Sequence, residues 1–231
     1  MNIVLLHAFP LDPRMWEPQR APLSAYEVVA PNLYELGSTM DEWAESVLRA
    51  VDGELVAVGA SMGGYCALGM ARRAPERLRG LVLVGARADA DSPERRAGRA
   101  ETIALIRSAG AQGLWADMRP KLFPEHADEA VVLRARAIAL GQDTERLIVG
   151  VGAIRDRVDS TDLVSGLSCP VLVAVGEHDP FFPPGEAREL AALAPNGRFV
   201  AFEGAGHLPS LDRPEQFNSQ LTRFVSHVDV A

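Results

Sequence analysis

Six short apolar runs recur along the chain: residues 2–6, Glu27–Ala30, Leu55–Val58, Leu81–Val84, Val171–Val175 and Arg198–Phe202. Most are continuously hydrophobic rather than alternating, the pattern of strands buried on both faces in a parallel sheet. Helical spacing fills the intervals between them. Asp12-Pro13 starts a short helix over Leu11–Trp16. Thr39 precedes Met40-Asp41-Glu42 in a capping-box spacing, and Trp43, Val47, Leu48 and Val51 then give one apolar face to about Asp52. Met62 to Ala74 is helical until Pro75 stops it, and Glu186–Leu193 follows the fifth run. Asp212, Pro214 and Glu215 supply the cap, first-turn proline and third-position acid of a last helix with Phe217, Leu221, Phe224 and Val225 on its core face. Alternation of this kind predicts a mostly parallel six-stranded α/β sheet flanked by helices.

The alternation breaks once. Between Arg87 and Ser168 there are helical periodicities near 94–109, 125–140 and 143–158 but no comparable strand run. A stretch of about 80 residues is too long for a crossover and predicts a helical cap over one edge of the sheet. The expected division is a core of 1–86 and 169–231 with the cap at 87–168. Charge marks the same segment, since residues 94–159 carry 11 basic and 10 acidic side chains out of 23 and 31 in the whole chain. The acidic surplus therefore belongs to the core. Cap arginines such as Arg95, Arg96 and Arg99 are either solvated helix faces or a lid that attracts an anionic part of a substrate. Ile103, Ile106, Leu114, Trp115, Leu122 and Phe123 are the apolar positions expected to cover an acyl pocket or to hold the cap together.

Composition narrows the field. With 231 residues, 48% hydrophobic and 23% charged, the chain suits one substantial soluble core. No run approaches the about 18 apolar residues of a membrane span, and the start of the chain carries no basic leader, so a cytoplasmic protein is expected. The net charge of −8 argues against a nucleic-acid surface. Cys66 and Cys169 read as small buried thiols, neither a disulfide framework nor a metal cluster.

The chemistry begins where the third run ends. Gly59-Ala60-Ser61-Met62-Gly63 fills G-x-S-x-G between a strand and a helix, the context in which a serine hydroxyl is held above the sheet edge. Side chains at Gly59 or Gly63 would collide with the neighbouring strand and helix. Serine needs a base, and a base needs a carboxylate to fix its tautomer. His207, in Gly204-Ala205-Gly206-His207, and Asp179, in Gly176-Glu177-His178-Asp179, each follow a core strand, as Ser61 does. All three fall at the carboxyl ends of parallel strands, where an open α/β sheet places its ligand. His178, His126 and His227 are weaker bases, and Glu177 and Asp212 are fallback acids. His7-Ala8-Phe9-Pro10 leaves the first strand in a loop able to aim amides at a ligand, Phe9 and its neighbours first, while His7 itself is expected to secure that loop by hydrogen bonds.

Together these motifs resemble the α/β-hydrolase superfamily over nearly the whole chain, in the order Ser61, Asp179, His207. His7-Ala8-Phe9-Pro10-Leu11-Asp12 with Trp16 looks like the H-G-F-P-x-D opening of small esterases and enol-lactonases. The resemblance implies an oxyanion hole from the Phe9 and Met62 amides and a family strand order of 4-3-5-6-7-8, without the two leading antiparallel strands. Ala8 stands where the family usually has glycine, so its methyl is expected to crowd the hole or the alcohol pocket. Dehalogenases and epoxide hydrolases of this family use an aspartate nucleophile and dienelactone hydrolases a cysteine, which Ser61 excludes. The implied activity is a serine hydrolase cleaving a small carboxylic ester or lactone through an acyl-enzyme, with no metal or organic cofactor. Carbon–carbon bond hydrolase, thioesterase and amidase chemistry share the same triad, and a non-enzymatic ligand-binding receptor is the alternative of another class. The expected partner is a small ester or lactone, with no nucleic acid or membrane, and the protein a monomer or homodimer.

Overall fold

The computed structural model describes residues 1–229. Six strands form one sheet: β1 (Asn2–Leu6), β2 (Glu27–Val29), β3 (Leu55–Ala60), β4 (Leu78–Val84), β5 (Val171–Gly176) and β6 (Gly197–Phe202). They lie in the order β2-β1-β3-β4-β5-β6, and every pair is parallel. This is the expected family order once two leading strands are left out. Helices follow as α1 (Glu17–Arg20), α2 (Met40–Ala50), α3 (Met62–Arg73), α4 (Pro93–Leu122), α5 (Glu129–Leu140), α6 (Thr144–Arg155), α7 (Thr161–Ser165), α8 (Pro184–Leu193), α9 (Pro209–Asp212) and α10 (Pro214–Asp229). No helix among the described residues is long and apolar enough to cross a membrane.

Strand periodicity splits the interior into two layers. Val4, Leu6, Leu55, Ala57, Leu81, Leu83, Val171 and Val173 point to one side, against Trp43 and Val47 of α2, Cys66 and Met70 of α3 and Leu190 of α8. Ile3, Leu5, Val56, Val58, Val82, Val84, Leu172 and Ala174 point to the other, against Trp16 and against Phe217, Leu221 and Phe224 of α10. With both faces covered, the central strands β1, β3, β4 and β5 have no solvated side, which is why their sequences do not alternate; the edge strands β2 and β6 are partly exposed. Thr39 and Glu42 close the capping box on α2: the Thr39 hydroxyl accepts from the Glu42 amide at 3.2 Å and the Glu42 carboxylate accepts from the Thr39 amide at 3.1 Å.

The segment between β4 and β5 contains α4 to α7 and no strand. α4 is two helical segments that meet at a kink: the first ends at Gly110, where φ is +61° and ψ −162°, close to the end expected near 109, and a second follows to Leu122. Glycine bears that conformation without a Cβ penalty. Asp212 does not cap the last helix; it closes α9, and its carboxylate accepts from the Gly206 amide at 2.7 Å.

Ser61 joins β3 to α3 at φ +48° and ψ −111°, the sole non-glycine residue with positive φ among those described. Such a conformation costs about 1 to 3 kcal/mol and persists only where surroundings enforce it. Here the Ser61 amide donates to Val84 O at 2.7 Å, and α3 starts so close to β1 that a Cβ on Gly63 would lie 2.1 Å from Leu6 O. Gly63→Ala is therefore expected to cost at least about 3 kcal/mol, because the obstacle is backbone that cannot rotate away. Urea unfolding of the variant checks this, and wild-type stability would show that the contact is slack.

Candidate active site

Asp179 and His207 sit in the loops after β5 and β6. Asp179 Oδ1 accepts from the Phe181 amide at 2.8 Å and from the Phe182 amide at 3.1 Å, which fixes the carboxylate at the turn. Its Oδ2 lies 2.8 Å from His207 Nδ1, with the two side chains 0% and 3% exposed. An ionised carboxylate there takes an Nδ1–H and leaves Nε2 as the basic nitrogen. The Phe181 ring packs edge-on against the imidazole at 4.7 Å between centroids. Gly85, at φ +56°, makes room behind the pair, since a Cβ would come within 3.0 Å of both Asp179 Oδ2 and His207 Nδ1.

Ser61, His207 and Phe9 line one small cavity of about 70 Å³, together with Tyr65, Arg87, Asp91, Arg95, Arg99, Met118, Ile154, Arg157 and Phe181. Asp179 stands behind His207, and Met62 follows Ser61 as the first residue of α3. The Phe9 and Met62 amides have no hydrogen-bond partner among the described residues. Ala8 does not line this cavity: it belongs with Leu11, Met15 and Trp16 to the packed cluster of one sheet face.

The rival candidates lie elsewhere. His178 is exposed and meets the His126 ring edge-on, Glu177 accepts from the Gly204 amide at 2.9 Å, and His227 is on α10. His126 Nε2 is 3.0 Å from Gly204 O, so a residue of the segment between β4 and β5 braces the histidine loop. The His207 amide itself donates to Leu122 O, the end of α4, at 3.1 Å. Burial raises the Asp212 carboxyl to about 6 despite its bond from Gly206 and the nearby Arg213, His126 and His207. His7 is fully buried, accepts from the Leu33 amide through Nε2 at 3.0 Å and faces Ala8 O through Nδ1 at 3.2 Å. It secures the Phe9 loop.

Of the two roles expected for the apolar cap positions, packing is the one observed. Ile106, Leu114, Trp115, Leu122 and Phe123 are buried in the two packed layers, and neither they nor Ile103 line the cavity; Met118 and Ile154 do. Arg95 and Arg99 reach it, whereas Arg96 turns outward to Asp156 at 2.9 Å. The spacing 95, 99 puts the two arginines on one face of α4, and Asp91, just before that helix, stands four and eight residues ahead of them, a signal present in the sequence. Arg157 and Arg87 come from distant positions and carried no such mark. Asp91 is the hub, 2.6 Å from Arg157, 2.9 Å from Arg99 and 3.4 Å from Arg95. Burial alone would raise its carboxyl, but Arg99 and Arg157 hold it below the usual carboxylate range.

Residues 3–220 match the profile described as Alpha/beta hydrolase family. The chain belongs to the alpha/beta hydrolase family. Among its members, a thermophilic esterase from Thermogutta terrifontis, solved with malate bound, is 33% identical, with a TM-score of 0.93 over 99% of this chain and 90% of that one. The enol-lactonase from Burkholderia xenovorans LB400 is 26% identical, with a TM-score of 0.85 over 97% and 91%. A pimeloyl-[acyl-carrier protein] methyl ester esterase of Aromatoleum aromaticum is 28% identical over 93% of this chain and 94% of its own.

Burial sets a pH dependence on this hydrolase fold. It lowers the His7 pKa from 6.5 to about 4, so between these values the unfolded chain binds the proton that the folded chain refuses. Stability then rises with pH across this window and is lost as pH falls, by about 3 kcal/mol in total for a shift of this size. His7→Gln keeps an acceptor for the Leu33 amide without titrating. The difference in unfolding free energy between wild type and H7Q, measured from pH 7 to 4, is expected to move against wild type as pH falls; a constant difference would refute the assignment.

Proposed function

We propose that the protein is a serine hydrolase of small carboxylic esters or lactones, with Ser61 as nucleophile, His207 as base and Asp179 as its orienting carboxylate. One observation carries the reading: the buried 2.8 Å Asp179–His207 pair lies behind a cavity that the strained Ser61 shares. His207 Nε2 takes the Ser61 proton as Oγ attacks the acyl carbonyl, and the Phe9 and Met62 amides receive the oxyanion. The imidazolium then returns the proton to the leaving alkoxide. Water, deprotonated by the same nitrogen, attacks the acyl-enzyme and releases the acid and free serine. Every step is acyl transfer with proton shuttling, and the chain's own groups suffice for it.

Support for esters and lactones also comes from relatives that act on them, the Thermogutta esterase and the Burkholderia enol-lactonase. The proposal treats 87–168 as a cap on a core of 1–86 and 169–231, and the enzyme as a cytoplasmic monomer or homodimer. The free, buried Cys66 and Cys169 fit a reducing compartment.

Ser61→Ala and His207→Ala are each expected to lower kcat on a short-chain ester by about 10³-fold or more, without adding in the double variant, because the two groups act as one unit. Asp179→Asn should cost about 10²- to 10⁴-fold by spoiling the tautomer. Steady-state kinetics with fluorophosphonate labelling checks all three. Labelling that persists in S61A, or more than about a tenth of wild-type kcat there, would overturn the assignment.

A further inference from the structure

The wall of the Ser61 cavity holds more positive charge than its own carboxylates consume. Four arginines, Arg87, Arg95, Arg99 and Arg157, line the cavity. Three carboxylates pair with them. Asp89 meets Arg87 at 2.8 Å and Arg95 at 2.6 Å, Glu186 meets Arg87 at 2.7 Å, and Asp91 meets Arg95, Arg99 and Arg157. One formal positive charge is left over beside the serine.

Donors are left over too. Arg157 is 6% exposed, held over the Tyr65 ring at 4.2 Å and tied by Nε and Nη1 to Asp89 O, Asp91 and Ile154 O. Its Nη2 is buried with no partner, while Arg95 Nε faces Asp91 at 3.4 Å without a hydrogen bond. Arg99, whose side chain is 27% exposed, gives only Nε, to Asp91 at 2.9 Å, which leaves both its terminal amino groups without a hydrogen bond among the described residues. A network serving only to fasten the cap would be expected to fill the buried Arg157 donor, because a charged group sealed away unpaired is costly. Both arginines share a cavity with a nucleophile.

We propose that this wall is an anion subsite, and that the preferred substrates are small esters carrying a free carboxylate a few bonds from the scissile carbonyl. This rests on the serine-hydrolase reading above and names its substrate class. A carboxylate of the substrate takes the unused amino groups of Arg99 and Arg157, since planar guanidinium forks match carboxylate geometry. Asp91 stays paired and fixes the angle of both forks. The substrate's anion is spectator to the chemistry: it positions the acyl carbonyl over Ser61, and the product keeps the same charge at that subsite.

The test uses matched pairs. Monomethyl glutarate is compared with methyl pentanoate to place the charge on the acyl side, and O-acetyl-lactate with sec-butyl acetate to place it on the alcohol side. Wild type is expected to prefer the anionic member of at least one pair by about 10-fold or more in kcat/KM, and Arg99→Gln to cut that ratio by about 10-fold, with partial recovery in Arg99→Lys. Arg99 is chosen because Asp91 keeps two other arginines when it is removed, and a circular dichroism melt confirms that R99Q is folded. Calorimetric binding of glutarate to S61A, lost in S61A/R99Q, tests the subsite apart from turnover. A wild-type enzyme that hydrolyses neutral esters through Ser61 but shows no anionic preference in either pair would overturn the subsite and leave the serine reading standing. So would a preference that R99Q leaves unchanged. Glutarate bound through Arg99 in a protein whose Ser61 proves inert would do the reverse.

Discussion

The approach of α3 to β1 is the contact on which the site depends. Ser61 can hold positive φ only because the backbone of Gly63 rests on that of Leu6 and the Ser61 amide is tied to Val84 O. Loosening either would let the turn relax into an ordinary strand-to-helix connection, with the hydroxyl lowered toward the sheet. The strain is offset by burial of β3 among strands with no solvated face, so the large hydrophobic term of the sheet holds a local conformation that is unfavourable on its own. The same contact directs the first turn of α3, and with it the free Met62 amide, toward the serine.

The histidine side is held differently. No strained residue positions His207; its ring is fixed by Asp179 and its backbone by Leu122 at the end of α4, with His126 bonding Gly204 in the same loop. The inserted helices thus support His207 as well as lining the cavity. A division in which the sheet supplies chemistry and the cap only selects substrate is too simple for this chain.

Much of this was legible in the sequence because it depends on local chemistry. Continuous apolar runs mark buried strands, glycines flanking Ser61 mark a close approach, and the loops of Asp179 and His207 follow strands in order. The misses share another cause. The helical segment that follows the kink at Gly110 and ends at Leu122 lay outside the spacings read near 94–109 and 125–140. Trp115 and Phe123 are apolar residues in a cap, and sequence spacing does not say whether such residues face a pocket or the packed layers; they face the layers. Arg157 reaches Asp91 across a sequence separation of 66 residues, and only the three-dimensional path of α6 brings them together.

The inserted helices share their hydrophobic burial with the sheet. Ile106, Leu114, Leu147 and Val151 belong to the layer built on Val4 and Leu81, and Trp115, Leu122 and Ile138 to the layer built on Ile3 and Val82. Cap and sheet therefore share their hydrophobic clusters among the described residues, and the two are expected to unfold together as one cooperative unit. Wide excursions of the cap would expose the sheet's own packing, so access to the cavity falls to side chains at its rim: Tyr65 and Arg157 also line a neighbouring groove of about 400 Å³, and Arg95, Arg99 and Phe181 line another of about 460 Å³.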